Sequence, residues 1–178
     1  HPDRMERLVL VDAAPINTDL LIRSYRELIG RFPDGDWERL EAMYESEAYL
    51  DGDPACLNEA MQLSEGPTFH VPTAREQYFD LVSFDAVTAR NMVEISKPAQ
   101  AIKQEITVQE DLHRIDCPTL IIHGAEDFIV LEAPALVRRL ITNAELVVIP
   151  DSGHYPFIEQ PEAFTDALRS FINRTRNR

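Results

Sequence analysis

Residues 117–127 read CPTLIIHGAED and residues 145–157 read ELVVIPDSGHYPF, and these two stretches decide the fold. Each contains a short run of apolar, mostly β-branched residues without polar alternation, which is typical of a parallel strand buried on both faces. Apolar residues recur at helical spacing between the two stretches, at Ala133, Leu136, Val137, Leu140 and Ile141, and again after them, from Phe164 to Ile172. Strand, helix, strand and helix of these lengths predict a βαβα unit with right-handed crossovers.

A third strand of the same kind is predicted far upstream, where residues 7–12 read RLVLVD. From about residue 16 to residue 110 the pattern is helical, with breaks at 33–36, 51–54, 66–67 and 97–98. Asp53 and Pro54 suit the N-cap and first turn of one of these helices. Another is predicted to carry Trp37, Leu40, Tyr44 and Ala48 on one face. We therefore predict an α/β fold with three parallel strands: a core strand segment at 1–15, a helical cap at 16–110 and a C-terminal core segment at 111–178.

Composition narrows the classes of partner. The 178 residues are 44% hydrophobic and carry a net charge of −14, from 31 acidic and 17 basic side chains. Such an excess argues against nucleic acid or an anionic membrane surface as partner. Two cysteines make neither a disulfide framework nor a metal cluster, and a reducing, cytoplasmic setting is predicted. The excess of acidic residues in the predicted cap is interpreted as a solvated helical surface. The alternative is an acidic rim that attracts substrates bearing an amine.

Two side chains follow neighbouring strands at the carboxyl edge of the predicted sheet. Asp127 comes after the strand that ends near His123, and His154 comes after the strand that ends near Ile149. A carboxylate that orients an imidazole, and an imidazole that moves a proton, are two of the three parts of a hydrolytic triad. Asp127 is predicted as the acid and His154 as the base, and Glu126 is the weaker rival for the acid.

The other polar candidates are given structural roles. His123 is interpreted as a structural histidine at the end of a strand, and no chemistry is assigned to His70 or His113. Ser152 lacks a nucleophile elbow and is assigned to a turn. Glu159 is expected to help set the turn before the last helix. No metal ion and no cofactor are predicted.

At these residues the chain resembles the α/β-hydrolase superfamily. The resemblance rests on residues 116–171, above all on the HGAED and DSGHYPFIEQP segments, and it extends to residues 1–12. It implies the C-terminal portion of an α/β-hydrolase sheet with an inserted cap, in which Asp127 is the triad acid and His154 the triad base. Among the branches of the superfamily, the Ser-Gly-His-x-Pro-Phe-x-Glu form at 152–159 is similar to the proline iminopeptidase-like branch, peptidase family S33.

The resemblance implies a Ser nucleophile within G-x-S-x-G, a motif that this sequence does not contain. We therefore expect a nucleophile upstream of His1 and no activity from these residues alone. The expected substrate is a small ester, an amide or a short peptide. Epoxide hydrolases, dehalogenases and carbon–carbon bond hydrolases with the same acid and base are the alternatives, and so is a catalytically silent binding fragment. The expected structural partner of the exposed strand edge is the N-terminal part of the same fold or a swapped homodimer.

Overall fold

The computed structural model describes residues 5–101 and 108–176, and for residues 97–101 only the backbone. The first four residues of the predicted strand segment, residues 102–107 of the predicted cap and the last two residues of the chain lie outside this range. The described residues form two compact units: the first comprises 5–28, 68–71 and 108–176, and the second comprises 29–67 and 72–101.

The first unit is built on a parallel sheet of three strands within the described residues, as predicted. These are β1 (Leu8–Val11), β2 (Thr119–Gly124) and β3 (Ala144–Ile149), in the order β1-β2-β3. Leu8 pairs with Thr119, and Thr119 pairs with Ala144. Every residue of the central strand β2 is buried, which explains its continuous apolar sequence.

Alternate residues of β2 pack into two hydrophobic clusters on opposite faces of the sheet. Ile121 packs on one face with Val137 and Ile141, at the helix α7 (Glu132–Leu140). Leu120 and Ile122 pack on the other face with Phe171 of α9 (Pro161–Thr175). The two helical patterns of the sequence therefore cover opposite faces of one sheet, and the result is a three-layer arrangement.

Helix α1 (Thr18–Ile29) begins in the first unit, although the sequence analysis placed it in the cap. Its Leu20 is buried against Ile129 and Ala133, which follow strand β2. Residues 68–71 also belong to the first unit. Apolar periodicity reveals that a segment is helical, but it does not reveal which core the segment covers, so the boundary at residue 16 did not anticipate this division.

The second unit contains α2 (Asp36–Tyr44), α3 (Glu47–Leu50), α4 (Pro54–Glu65), α5 (Pro72–Leu81) and α6 (Ala86–Ala101). Its core includes Leu57, Ala89 and Val93. Asp53 caps α4 as predicted, because its carboxylate accepts a hydrogen bond from the Cys56 N–H. Whether this unit acts as a cap stays a prediction.

Two local predictions in the second unit are wrong. Ala48 does not continue the helix of Leu40, because the Ser46 hydroxyl accepts a hydrogen bond from the Tyr49 N–H and starts the separate helix α3. The break expected at Pro98 is absent, since α6 runs through it to Ala101. Proline weakens a helix without always ending it.

No helix among the described residues has the length and apolar character that a membrane span requires. Cys56 and Cys117 are free thiols and both are half-buried.

Candidate active site

The structure brings Asp127 and His154 together at the carboxyl edge of the sheet. The Nδ1 atom of His154 lies 3.1 Å from Oδ1 and 3.0 Å from Oδ2 of Asp127. The Asp127 side chain is fully buried, whereas 24% of the His154 side chain is exposed. A buried carboxylate on one ring nitrogen and a partly exposed ring is the arrangement that an orienting acid and a proton-transferring base require.

The loop after β2 fixes the Asp127 carboxylate. Its Oδ1 accepts a hydrogen bond of 3.1 Å from the Ile129 N–H. Val130, which follows Ile129, is held as well, because its N–H donates to the hydroxyl of Ser24 on helix α1. Ser24, for which no role was predicted from the sequence, is buried and anchors this loop.

The loop after β3 is organised around the buried carboxylate of Glu159. Its Oε1 accepts hydrogen bonds from the Gly153 N–H at 2.9 Å and the Tyr155 N–H at 3.2 Å, on both sides of His154. Its Oε2 accepts from the His70 and Val71 N–H groups, both at 2.8 Å. Glu159 therefore does more than set a turn: it joins the His154 loop to residues 68–71.

Residues 68–71 hold the same loop through two further contacts. The His154 N–H donates to the Thr68 carbonyl oxygen at 3.0 Å. The Phe69 and Tyr155 rings stack with their centroids 4.6 Å apart. Backbone hydrogen bonds, a carboxylate and an aromatic stack thus fix the position of the histidine.

The two loops meet at Gly124, which ends strand β2. A Cβ atom at this position would overlap the carbonyl oxygens of Ser152 and Gly153 in the His154 loop. The Glu126 N–H also donates to the Ser152 carbonyl oxygen at 2.8 Å. Only glycine allows this approach, so the residue supports the spacing between Asp127 and His154.

Substituting Gly124 by alanine is expected to lower the free energy of unfolding by about 2–3 kcal/mol, because backbone on both sides must shift to make room for one methyl group. Chemical denaturation measures the change. Ala125→Ser is the matched control, since Ala125 is the exposed neighbour and surface changes usually stay within about 0.5 kcal/mol. Equal stability of the two variants would contradict the close approach.

Beneath Asp127 lies a second buried pair, Asp12 and His123. Asp12 follows strand β1 with a left-handed backbone (φ 39°), and its Oδ1 accepts a hydrogen bond of 2.9 Å from the Gly124 N–H. The same Oδ1 lies 3.1 Å from Nδ1 of His123, and Oδ2 of Asp127 lies 3.8 Å from that nitrogen. On the other side of the ring, Nε2 lies 2.9 Å from the Ile129 carbonyl oxygen.

The electrostatics of this pair favour a bound proton. Burial lowers the pKa of His123, but the hydrogen bond to Asp12 and the negative charges of Asp127 and Asp12 outweigh it, so that the pKa lies above its usual value. Burial also raises the pKa of Asp12, and the hydrogen bonds with His123 and Gly124 oppose that shift only in part. Both pKa values are raised, and both shifts favour retention of one proton by the Asp12–His123 pair.

Asp12, His123 and Asp127 place ligand-type atoms within 4.8 Å of one another, which is also the spacing that a metal ion needs. The same atoms already have hydrogen-bonding neighbours: Asp12 Oδ1 accepts from Gly124, and Asp127 contacts His154 and Ile129. These hydrogen bonds account for Asp12 Oδ1 and for the Asp127 carboxylate, whereas Asp12 Oδ2 is buried without a hydrogen-bond partner among the described residues. The prediction that no metal is bound stays untested.

A cavity of about 390 Å³ adjoins His154 within the first unit. Most of its lining is apolar, and the polar contributions come from Asp12, Ser24, Tyr25 and His154; the apolar residues are Ala14, Pro15, Leu21, Leu28, Phe128 and Ile129. The volume is within the range of sites that bind small molecules. Among these described lining residues there is no lysine or arginine.

Comparison with known proteins identifies the family. The model of the alpha/beta hydrolase family matches residues 3–167, which is most of the chain. The chain belongs to the alpha/beta hydrolase family. Its fold agrees with that of an alpha/beta fold family hydrolase from Bacillus anthracis str. Sterne, with a TM-score of 0.62 and 20% identity over 96% of this chain and 58% of the other.

Curated relatives share only part of their length with this chain. A 2-hydroxy-6-oxo-6-(2'-aminophenyl)hexa-2,4-dienoic acid hydrolase from Metapseudomonas resinovorans is 36% identical over 36% of this chain and 23% of its own. A proline iminopeptidase from Saccharolobus solfataricus is 28% identical over 38% of this chain and 22% of its own. The superfamily is therefore confirmed, whereas the proline iminopeptidase branch is not.

The remaining sequence candidates differ in burial. Glu126, the rival acid, is exposed, and so are His70 and His113. Ser152 is fully buried, with its Oγ 3.4 Å from the Gly153 carbonyl oxygen. The roles of Asp12 and Ser24, and the wider role of Glu159, were not predicted from the sequence. A signal existed for Asp12, since it ends an apolar strand at the same sheet edge as Asp127.

Proposed function

We propose that the complete protein is a hydrolase of small, uncharged esters or amides, with His154 as general base and then general acid and Asp127 as its orienting carboxylate. The observation that carries this proposal is the 3.0 Å contact between His154 Nδ1 and the fully buried Asp127 carboxylate, beside a cavity. In the proposed mechanism His154 takes the proton of a serine nucleophile and later gives it to the leaving group.

The nucleophile is proposed to come from a segment N-terminal to His1. Ser152 does not fill this role, because it is fully buried against its own backbone. Strand β1 pairs with β2 on one side, and among the described residues no strand pairs with its other edge. We propose that the N-terminal part of the same fold, or a swapped copy, covers this edge.

The cavity supports the choice of substrate. Its apolar lining suits an uncharged acyl or alkyl group, and burial of an unpaired carboxylate there costs several kcal/mol. An aminopeptidase of the proline iminopeptidase kind is the finer possibility and is supported by the 28% identical relative. A cytoplasmic setting is proposed as well, in agreement with two free thiols.

The test is a substrate panel on the complete protein: p-nitrophenyl acetate, butyrate and hemisuccinate, with proline p-nitroanilide and a 2-hydroxy-6-oxo-dienoate beside them. The butyrate ester is expected to exceed the hemisuccinate in kcat/KM by about tenfold or more, because the lining residues described above include no lysine or arginine to pair with the free carboxylate of the hemisuccinate. These 178 residues alone are expected to be inactive. Turnover of the dienoate alone would replace the ester proposal with carbon–carbon bond hydrolysis, and no turnover would favour a binding role.

A further inference from the structure

The buried ring of His123 is surrounded by hydrogen-bond acceptors. Three oxygen atoms approach its two nitrogens: Asp12 Oδ1 at 3.1 Å, Asp127 Oδ2 at 3.8 Å and the Ile129 carbonyl oxygen at 2.9 Å. The ring is 1% exposed, so bulk water does not supply donors. The element ends that face this ring carry two titratable groups, Asp12 after β1 and Asp127 after β2.

Hydrogen-bond chemistry restricts the protonation of this ring. A carbonyl oxygen only accepts, so Nε2 must carry a proton to bond Ile129. A neutral ring would then direct the lone pair of Nδ1 at Asp12 Oδ1, which is repulsive while the Asp12 carboxylate is ionised. A proton on Nδ1 removes this repulsion and converts the contact into a charge-assisted hydrogen bond.

We propose that His123 is a buried imidazolium, held by Asp12, that positions the Asp127 carboxylate and balances its charge. Asp12 and His123 are thus positioning residues for the hydrolytic reaction, and this role rests on the proposed function. His154 contacts both oxygens of the same carboxylate, including Oδ2, the atom that lies nearest to His123. The chain of charges runs from Asp12 through His123 and Asp127 to His154.

Charge balance explains why the two residues occur together. Two buried carboxylates flanking one imidazolium leave a single net negative charge beneath His154, the same as Asp127 would supply alone. Loss of the proton from the Asp12–His123 pair would place two uncompensated carboxylates there, at a large cost in free energy. The raised pKa of His123 agrees with retention of that proton.

The protonation state is measured directly by ¹⁵N NMR of histidine-labelled complete protein in EDTA. Both ring nitrogens of His123 are expected to carry protons at pH 8, where an unperturbed imidazole is neutral. The signal is assigned by its loss in His123→Gln. An unprotonated ring nitrogen of His123 at pH 8 would overturn the proposal, whatever the activity of the protein. A His123 signal that differs between samples with and without EDTA would overturn it as well.

The kinetic consequence is tested with a charge-balanced pair of variants. In His123→Gln the cation is lost, so the acidic limb of the pH–rate profile is expected to move up by about 0.5–1 pH unit, because extra negative charge favours protonated His154. In Asp12→Asn a negative charge is lost and the limb is expected to move down. The double variant D12N/H123Q restores the net charge and is expected to return towards the wild-type profile.

If the two residues had only a structural role, both single variants would lose kcat, but the acidic limbs of their pH–rate profiles would not move in opposite directions. The double variant would then not return towards the wild-type profile. Shifts in one direction, or none, would therefore refute the positioning role. The two proposals fail separately. If His123 carries both protons in a protein without hydrolase activity, the proposed function fails and the imidazolium stands. If an active hydrolase shows a bare His123 nitrogen, the imidazolium fails alone.

Discussion

Replacing His154 by alanine in the complete protein is expected to reduce kcat for ester hydrolysis by at least about 10³-fold, because no other group takes over proton transfer at that point. Asp127 would then lose the imidazole that it contacts at 3.0 Å. KM is expected to change little, since the apolar lining of the proposed substrate cavity remains. Steady-state kinetics with the best ester of the panel measures both constants.

His113→Ala is the matched control for this substitution. His113 is exposed in the first unit, so its removal is expected to leave kcat unchanged. Retention of more than about a tenth of the activity in His154→Ala would exclude His154 as the base. Equal losses in both variants would indicate a general sensitivity of the fold.

Replacing Glu159 by alanine is expected to lower the free energy of unfolding by about 3 kcal/mol or more, because four backbone N–H groups lose their acceptor at once. These donors belong to His70, Val71, Gly153 and Tyr155. Buried donors left without a partner each cost about 1–3 kcal/mol. Urea denaturation of the variant gives the change.

Two further variants sharpen this measurement. Glu162→Ala removes a neighbouring exposed carboxylate and is expected to change stability by less than about 0.5 kcal/mol. Glu159→Gln keeps one acceptor oxygen and turns an NH₂ group towards the other pair of donors, so an intermediate loss is expected. If Glu159→Ala is as stable as Glu162→Ala, the carboxylate does not hold this loop.

The sheet and the Asp127–His154 contact could be predicted because both depend on local sequence and simple topology. Apolar runs predicted β1, β2 and β3, and the rule that parallel strands end at one edge brought Asp127 next to His154. The family resemblance gave the same answer. The strands are predictable because a strand that is buried on both faces tolerates few sequence patterns other than a continuous apolar run.

The supporting network was not predictable in the same way. Glu159 binds backbone groups of residues 70 and 71, about 90 positions away, and backbone donors carry no sequence signature. The role of His123 depends on a contact with Asp12, across 111 residues. Contacts between distant segments become visible only when strands β1 and β2 are placed side by side.

The lack of space for a side chain at Gly124 restricts which parts of the proposed active site can change during evolution. Because the acid and base loops touch backbone to backbone, neither accepts an inserted residue or a larger side chain without displacing the other. New substrate preferences are then expected to arise from the cavity wall on helix α1, to which Leu21 and the exposed Tyr25 contribute. Laboratory selection for altered substrates should therefore enrich changes on α1 and leave both loops intact.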